Sequence, residues 1–160
     1  MKTLIVYYSR TGVTKKVAEI LKARLADLAY DCDIEEIVDT KDRKGPMGYM
    51  MGGRDALREY LTEIKPTTKN AVNYELVIIG TPVWASNMAP AIRTYISAQK
   101  DKIKKVALLA TYGGSGYEKT FKRLGDLVGV QPLATLDLKT ADVMQDKIEE
   151  KMNEFVKKLQ

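Results

Sequence analysis

The sequence predicts an α/β fold: a doubly wound sheet of five parallel strands in the order 2-1-3-4-5, with helices on both faces. Three observations predict it. Short apolar runs rich in β-branched residues, at 4–8, 76–79 and 106–110, have the composition of central parallel strands buried on both faces. Runs at 32–38 and 133–138 mix apolar and polar residues, which suits half-covered edge strands. Between these runs apolar residues recur at helical spacing, so strand and helix alternate along the whole chain. Strands one, three and four as central and two and five as edges point to the stated order, which reverses between strands one and three, and right-handed crossovers then place helices on both faces. In such sheets ligands bind at the carboxyl ends of the strands beside that reversal.

The elements follow in turn. Strand one is 4–8. Val13, Val17, Leu21, Leu25 and Leu28 predict a helix directly after it. Strand two follows at 32–38. Residues 41–53, KDRKGPMGYMMGG, contain the turn signals Gly45-Pro46 and Gly52-Gly53 and read as an inserted segment. The second helix is expected over 53–64, with Leu57, Tyr60, Leu61 and Ile64 on one stripe. A third helix is expected to start near Asn87, with Pro90 in its first turn. The fourth carries Tyr117, Phe121, Leu124 and Val128. The last begins near Thr140 and carries Met144, Ile148, Met152, Phe155 and Leu159. In the fifth strand Ala134, Leu136 and Leu138 alternate with Thr135, Asp137 and Lys139.

A chain of 160 residues without repeats or linkers reads as one domain, 1–160. It has no histidine and a single cysteine, Cys32, so neither an imidazole metal site nor a cysteine cluster is expected. No apolar run approaches a membrane span, and the first residues lack the pattern of a secretory leader. A cytoplasmic location is the expectation. The net charge is +5, but the lysines and arginines are interleaved with acids along helices, as in Lys147-Ile148-Glu149-Glu150-Lys151. Such spacing suits solvated faces, and nucleic acid is not an expected partner.

The candidate site lies in three loops at one end of the sheet. After strand one comes Ser9-Arg10-Thr11-Gly12-Val13-Thr14, a hydroxyl-rich loop that runs into a helix. Free N–H groups and the helix dipole make such a junction an anion site, and a phosphate monoester suits it. After strand three comes Gly80-Thr81-Pro82-Val83-Trp84-Ala85-Ser86-Asn87, with the only tryptophan. After strand four comes Thr111-Tyr112-Gly113-Gly114-Ser115-Gly116-Tyr117. Aromatic side chains facing a phosphate site suggest a planar heterocycle joined to that phosphate. Plainer roles stay open at this point. Ser9 and Thr11 also suit helix caps. Tyr117 lies on the apolar stripe of the fourth helix, with Tyr112 as the alternative stacking residue. The chain lacks GxxxxGK[ST] and has no GxGxxG after strand one, so neither fingerprint for other nucleotides is present.

These residues resemble the flavodoxins and flavodoxin-like FMN proteins. Ser9 to Thr14 is similar to their T/S-x-T-G-x-T phosphate loop. Gly80 to Trp84 and Tyr112 to Glu118 resemble the two loops that carry the flavin-flanking aromatics. The resemblance covers essentially the whole chain. It implies FMN held by Ser9, Arg10, Thr11, Gly12, Val13, Thr14, Thr81, Pro82, Val83, Trp84, Asn87, Thr111, Tyr112, Gly113, Gly114 and Tyr117, with Trp84 and Tyr117 flanking the ring. It implies an electron carrier working between redox partner proteins, with redox chemistry on the flavin and no catalytic side chain. The alternative is an FMN-dependent NAD(P)H:quinone oxidoreductase, with 41–53 as a substrate cover or a contact in a homo-oligomer. Two departures stand out. Typical members follow the second-loop aromatic with a glycine whose peptide can flip toward flavin N5. Here Ala85 stands there, and a side chain disfavours the positive-φ turn by roughly 1 kcal/mol. Typical members are also acidic, whereas this chain is basic. Arg10, Lys15, Arg54 and Arg93 are expected near the flavin end, which suits an acidic docking partner.

Overall fold

The computed structural model describes residues 1–160. Its elements are β1 (Lys2–Tyr7), α1 (Val13–Asp27), β2 (Asp31–Glu36), α2 (Gly45–Leu57), β3 (Leu76–Trp84), β4 (Asn87–Met88), α3 (Pro90–Gln99), β5 (Val106–Tyr112), α4 (Tyr117–Val128), β6 (Thr135–Lys139), α5 (Thr140–Met144) and α6 (Glu149–Lys158). The parallel strands run β2-β1-β3-β5-β6, and β4 pairs antiparallel with the end of β3. β4 is only the return arm of a hairpin, so the parallel order is the predicted 2-1-3-4-5.

Alternation along the central strands builds two cores. Leu4, Val6, Val77 and Ile79 face α3 and α4, which contribute Ile92, Tyr95 and Leu124. Ile5, Tyr7, Ile78 and Leu109 face α1 and α6, which contribute Leu21, Leu25 and Phe155. Burial on both faces is why these strands read as unbroken apolar runs. At Gly80 an added Cβ would lie 3.1 Å from Tyr7 Cβ, 3.2 Å from Leu109 Cδ2 and 3.5 Å from Thr14 Cγ2. That close approach seats the start of α1 directly on the sheet beside the reversal of strand order.

Three helical expectations are corrected. α2 spans Gly45–Leu57 rather than 53–64, so most of the segment read as an insert is helix. Gly45, at φ 68°, turns the chain into the helix, and Pro46 sits in its first turn, where proline loses no intrahelical bond. Gly48 and Gly52 face inward. A Cβ on Gly48 would collide with the Arg43 backbone, and one on Gly52 would sit 2.9 Å from Trp84 Cζ3. The third helix starts at Pro90, because Asn87 and Met88 pair with β3. The last helix is two. Asp146 takes φ 54°, and Lys147 N–H bonds back to Asp142 O at 2.9 Å, which ends α5. Lys16 Nζ then caps the break through Val143 O (3.2 Å) and Asp146 Oδ1 (2.7 Å).

A buried ion cluster fixes α2. Arg43 donates from Nε to Asp39 Oδ2 at 3.0 Å and from Nη1 to Asp55 Oδ2 at 2.7 Å. The three side chains are 4%, 2% and 1% exposed. Arg54 donates to the second Asp55 oxygen at 2.7 and 3.1 Å, and Thr62 Oγ1 donates to Asp39 at 2.7 Å. Burial alone works to raise the Asp55 pKa. Its bonds from Arg43 and Arg54 outweigh that and hold it at about 2.

Candidate functional site

The loop from β1 to α1 is an N–H cradle. Gly12 takes φ 92°, a conformation open to glycine, and so turns the chain into the helix. Ser9 Oγ accepts from Gly12 N–H at 3.1 Å and Lys15 N–H at 3.2 Å, which holds the loop in a ring. The N–H groups of Ser9, Arg10, Thr11, Val13 and Thr14 have no acceptor within the protein. With the positive end of the α1 dipole they form a concave donor surface for an anion. The Thr14 and Thr111 hydroxyls, both buried, lie 2.8 Å apart. Two hydroxyls sharing one bond keep one proton to give to a third group.

Arg10 turns away from the cradle toward α2. It donates to Arg43 O at 2.7 Å and Gly45 O at 3.0 Å, and its guanidinium lies 5.5 Å from the Tyr49 ring centre. The first loop and the start of α2 are thereby joined.

The second loop is largely strand. Thr81 and Pro82 stay in register with Ala110 and Thr111, and Val83 and Trp84 pair with Met88 and Asn87. Ala85 and Ser86 form the two-residue turn with φ 49° and 58°. Positive φ at both positions defines a type I′ turn, which matches the twist of paired strands. Ala85 therefore adopts the conformation that a side chain disfavours. Hairpin pairing, α4 and the third loop hold it there: Arg123 Nη1 of α4 donates to Ser86 O at 2.9 Å, and a Cβ on Gly116 would meet Ser86 Oγ at 2.7 Å. Relief of this strain predicts that Ala85→Gly raises the unfolding free energy by about 0.5–1 kcal/mol, after the entropy that glycine adds to the unfolded chain. Urea unfolding of the two proteins measures it, and a destabilised variant would contradict the strain.

Trp84 is clamped. Its ring edge meets Tyr8 at 5.4 Å and 90°, and Gly52 of α2 supports it from behind. Burial, followed by the Asp39 carboxylate, pushes the Tyr8 phenol up to about 12, so Tyr8 stays neutral. In the third loop Tyr112 donates to Asp137 Oδ2 at 3.1 Å. Its ring lies 4.8 Å from Tyr117, which also packs edge-on to Phe121.

These loops enclose a cleft of about 210 Å³ lined by Arg10, Thr11, Val13, Thr14, Pro82, Val83, Trp84, Thr111, Tyr112 and Gly113 of the expected set, plus Tyr49 and Thr140. Of the two third-loop tyrosines, Tyr112, itself buried, lines this hollow, while Tyr117, the more exposed ring, lies 4.8 Å from it outside the lining. Asn87 is fully buried. It donates to Ala56 O at 3.0 Å and accepts from Met88 N–H and Arg93 Nη2 at 2.9 Å, which gives it a structural role. Arg93, expected near the flavin end, is buried with Asn87 and beside Glu59. Thr81 is buried too, its hydroxyl accepting from Ala89 N–H at 3.0 Å. Ser9 and Gly12 shape the cradle, while Gly114 is exposed beyond Gly113. A second, apolar hollow of about 310 Å³ adjoins the cleft, sharing Tyr49, Val83 and Trp84 and adding Met50, Gly53 and Ala85. Tyr49 escaped sequence reading because the glycines around it signalled turns. Helical spacing from Tyr49 to Gly53 was the available clue.

A cleft at the reversal of a doubly wound sheet, with an anion cradle at one end and aromatic walls, defines a flavodoxin-type site. The flavodoxin family model matches residues 2–159, and the chain belongs to the flavodoxin family. Among solved structures it is similar to a flavoprotein from Lactobacillus acidophilus NCFM in complex with FMN. That likeness has 25% identity and a TM-score of 0.73, covering 92% of this chain and 98% of that one. A flavoprotein from Bacteroides eggerthii shares the fold at 23% identity and TM-score 0.71, covering 92% and 98%. The two-electron reduced flavodoxin of Megasphaera elsdenii shares it at 17% identity and TM-score 0.59, covering 85% of each chain. No curated protein matches the chain. No helix is long and apolar enough to cross a membrane.

Proposed function

We propose that this protein binds FMN in the cleft and carries electrons between protein partners in the cytoplasm. The observation that carries the reading is the cradle of free N–H groups of Ser9, Arg10, Thr11, Val13 and Thr14 opening onto the Trp84–Tyr112 cleft. Donors of this kind suit a dianionic phosphate, and no carboxylate lines the cleft to repel it. FMN bound there supplies one- or two-electron redox chemistry. The chain's part is to hold and orient it. The Ser9–Thr14 N–H groups and the Thr14–Thr111 hydroxyls bind the phosphate. Trp84 and Tyr112 wall the ring, and Gly113 leaves backbone groups free to meet its edge. Positive charge from Arg10 and the basic surface favours a reduced, anionic cofactor. The hollow beside Trp84, with mostly apolar lining, supports a second reading. In that reading a small planar acceptor such as a quinone docks there, as in FMN-dependent NAD(P)H:quinone oxidoreductases.

Trp84 is the only tryptophan, so FMN titration is expected to quench its fluorescence stoichiometrically. Absence of quenching and of a bound flavin spectrum would refute the site. Anaerobic stepwise reduction of the loaded protein, followed by NADPH and a quinone as substrates, separates the carrier from the reductase.

A further inference from the structure

α2 is amphipathic in the wrong sense for a helix that only covers a core. It buries Gly48, Gly52, Asp55 and Ala56. It turns outward Met47 (65% exposed), Tyr49 (68%), Met50 (59%) and Leu57 (62%). Tyr60 and Leu61 continue the patch beyond the helix. These six make up half of the twelve large hydrophobics that the whole chain leaves exposed. Single exposed apolar residues are ordinary, but a cluster of this kind marks an interaction surface. Its methionines suit a contact that must adapt to its partner. Small and charged residues inside, held by the buried Arg43–Asp55 pair, fix the helix so that the outward stripe stays presented. The stripe runs into the candidate cofactor site, because Tyr49 lines both the cleft and the adjoining hollow.

The charges around the stripe choose the occupant. Between residues 41 and 59 the exposed charged side chains are Lys41, Lys44, Arg54 and Arg58 against Asp42 and Glu59. Arg10 adds a further cation at the cleft, and the buried cluster of Asp39, Arg43 and Asp55 removes only one. The surface is net cationic. A second copy of this chain would bring like charges face to face, which disfavours self-association. Resting on the electron-carrier reading, we infer that the outward face of α2 is the docking platform for an acidic redox protein with an apolar contact patch. The platform sets the partner beside the cleft, and its cations steer the encounter.

An acidic [2Fe–2S] ferredoxin is the probe. Stopped-flow reduction of the FMN-loaded protein by this ferredoxin is compared with reduction by dithionite, and binding of the ferredoxin to the flavin-free protein is followed by sedimentation. Met47→Ser/Leu57→Ser and Lys44→Glu/Arg58→Glu touch exposed side chains outside the cleft. Each pair is expected to lower the ferredoxin rate constant and affinity about tenfold at low salt, and the charge pair to flatten the salt dependence. FMN binding and dithionite reduction should stay at wild-type values. Equal ferredoxin kinetics and affinity in all three proteins would overturn the platform while leaving the FMN reading intact. Loss of FMN binding in the wild type would instead remove the reading beneath it. Dimers that Met47→Ser/Leu57→Ser dissociates would assign the face to a second copy and overturn the proposal. Co-sedimentation with phosphatidylglycerol vesicles, lost in the same variant, would assign it to a membrane and overturn it equally.

Discussion

Replacing Arg43 by leucine is expected to lower the unfolding free energy by about 3–5 kcal/mol, the usual cost of removing one partner from a buried ion pair. Asp39 and Asp55 would remain almost fully buried, with the cation between them gone. Arg54 and Lys41 still reach Asp55, but both side chains are about half exposed and compensate weakly. Arg43→Lys keeps the charge without the fork that reaches two carboxylates, so it should fall between wild type and leucine. The acid limb gives a second readout. Asp55 sits at about 2 in the folded protein against 3.8 ordinarily, so the unfolded chain takes up its proton first as pH falls. Its contribution, about 2 kcal/mol, is complete above about pH 4 and is lost as pH falls toward 2. In the leucine variant this acid-dependent share should shrink. Urea unfolding at pH 7, 4 and 3 measures both effects. A loss under 1 kcal/mol at neutral pH would show that Arg54 and Lys41 suffice.

How much of this was legible in the chain follows from where each signal resides. The central strands are buried on both faces, so their apolar runs declare themselves without knowledge of any neighbour. The first loop was equally readable, because strand, hydroxyls, glycine and helix lie in consecutive positions. α2 was misjudged because glycine carries two meanings. Gly45, with φ 68°, bends the chain, whereas Gly48 and Gly52 make room for Arg43 and Trp84, and only the fold distinguishes these uses. The choice between Tyr112 and Tyr117 is likewise tertiary. Tyr112 ends β5 and Tyr117 opens α4, and their packing, Tyr112 on Asp137 and Tyr117 on Phe121, is set by partners that neighbouring positions do not reveal. Asn87 shows the limit of inferring a ligand contact from a polar residue near a site. Its amide bonds to Ala56 and Arg93, partners supplied by α2 and α3. Ala85 shows the limit of propensity, since pairing of Val83 and Trp84 with β4 imposes a positive φ that alanine alone avoids.

Thr14→Val is expected to weaken FMN binding about 10- to 100-fold while leaving riboflavin binding unchanged. Valine keeps the methyl group that packs near Gly80 and removes only the hydroxyl. The variant removes the hydroxyl that stands in the cradle loop itself, and the Thr111 hydroxyl, which keeps its own proton, offers it from the end of β5 instead. A hydrogen bond to a charged phosphate contributes about 1.5–3 kcal/mol, and each 1.4 kcal/mol is tenfold in affinity. Riboflavin lacks the phosphate, so its affinity reports the ring site alone and separates a lost donor from a distorted cleft. The variant should also lose about 1 kcal/mol of stability, because Thr111 is buried and its hydroxyl is left unpaired. Thr111→Val, which leaves the Thr14 hydroxyl and its proton in the cradle, should weaken FMN binding less, and the double variant should depart from the sum because the two hydroxyls share one bond. Titrations of both flavins against Trp84 fluorescence measure all three proteins. Equal losses for FMN and riboflavin would place the damage in the ring site and argue against the cradle as the phosphate seat.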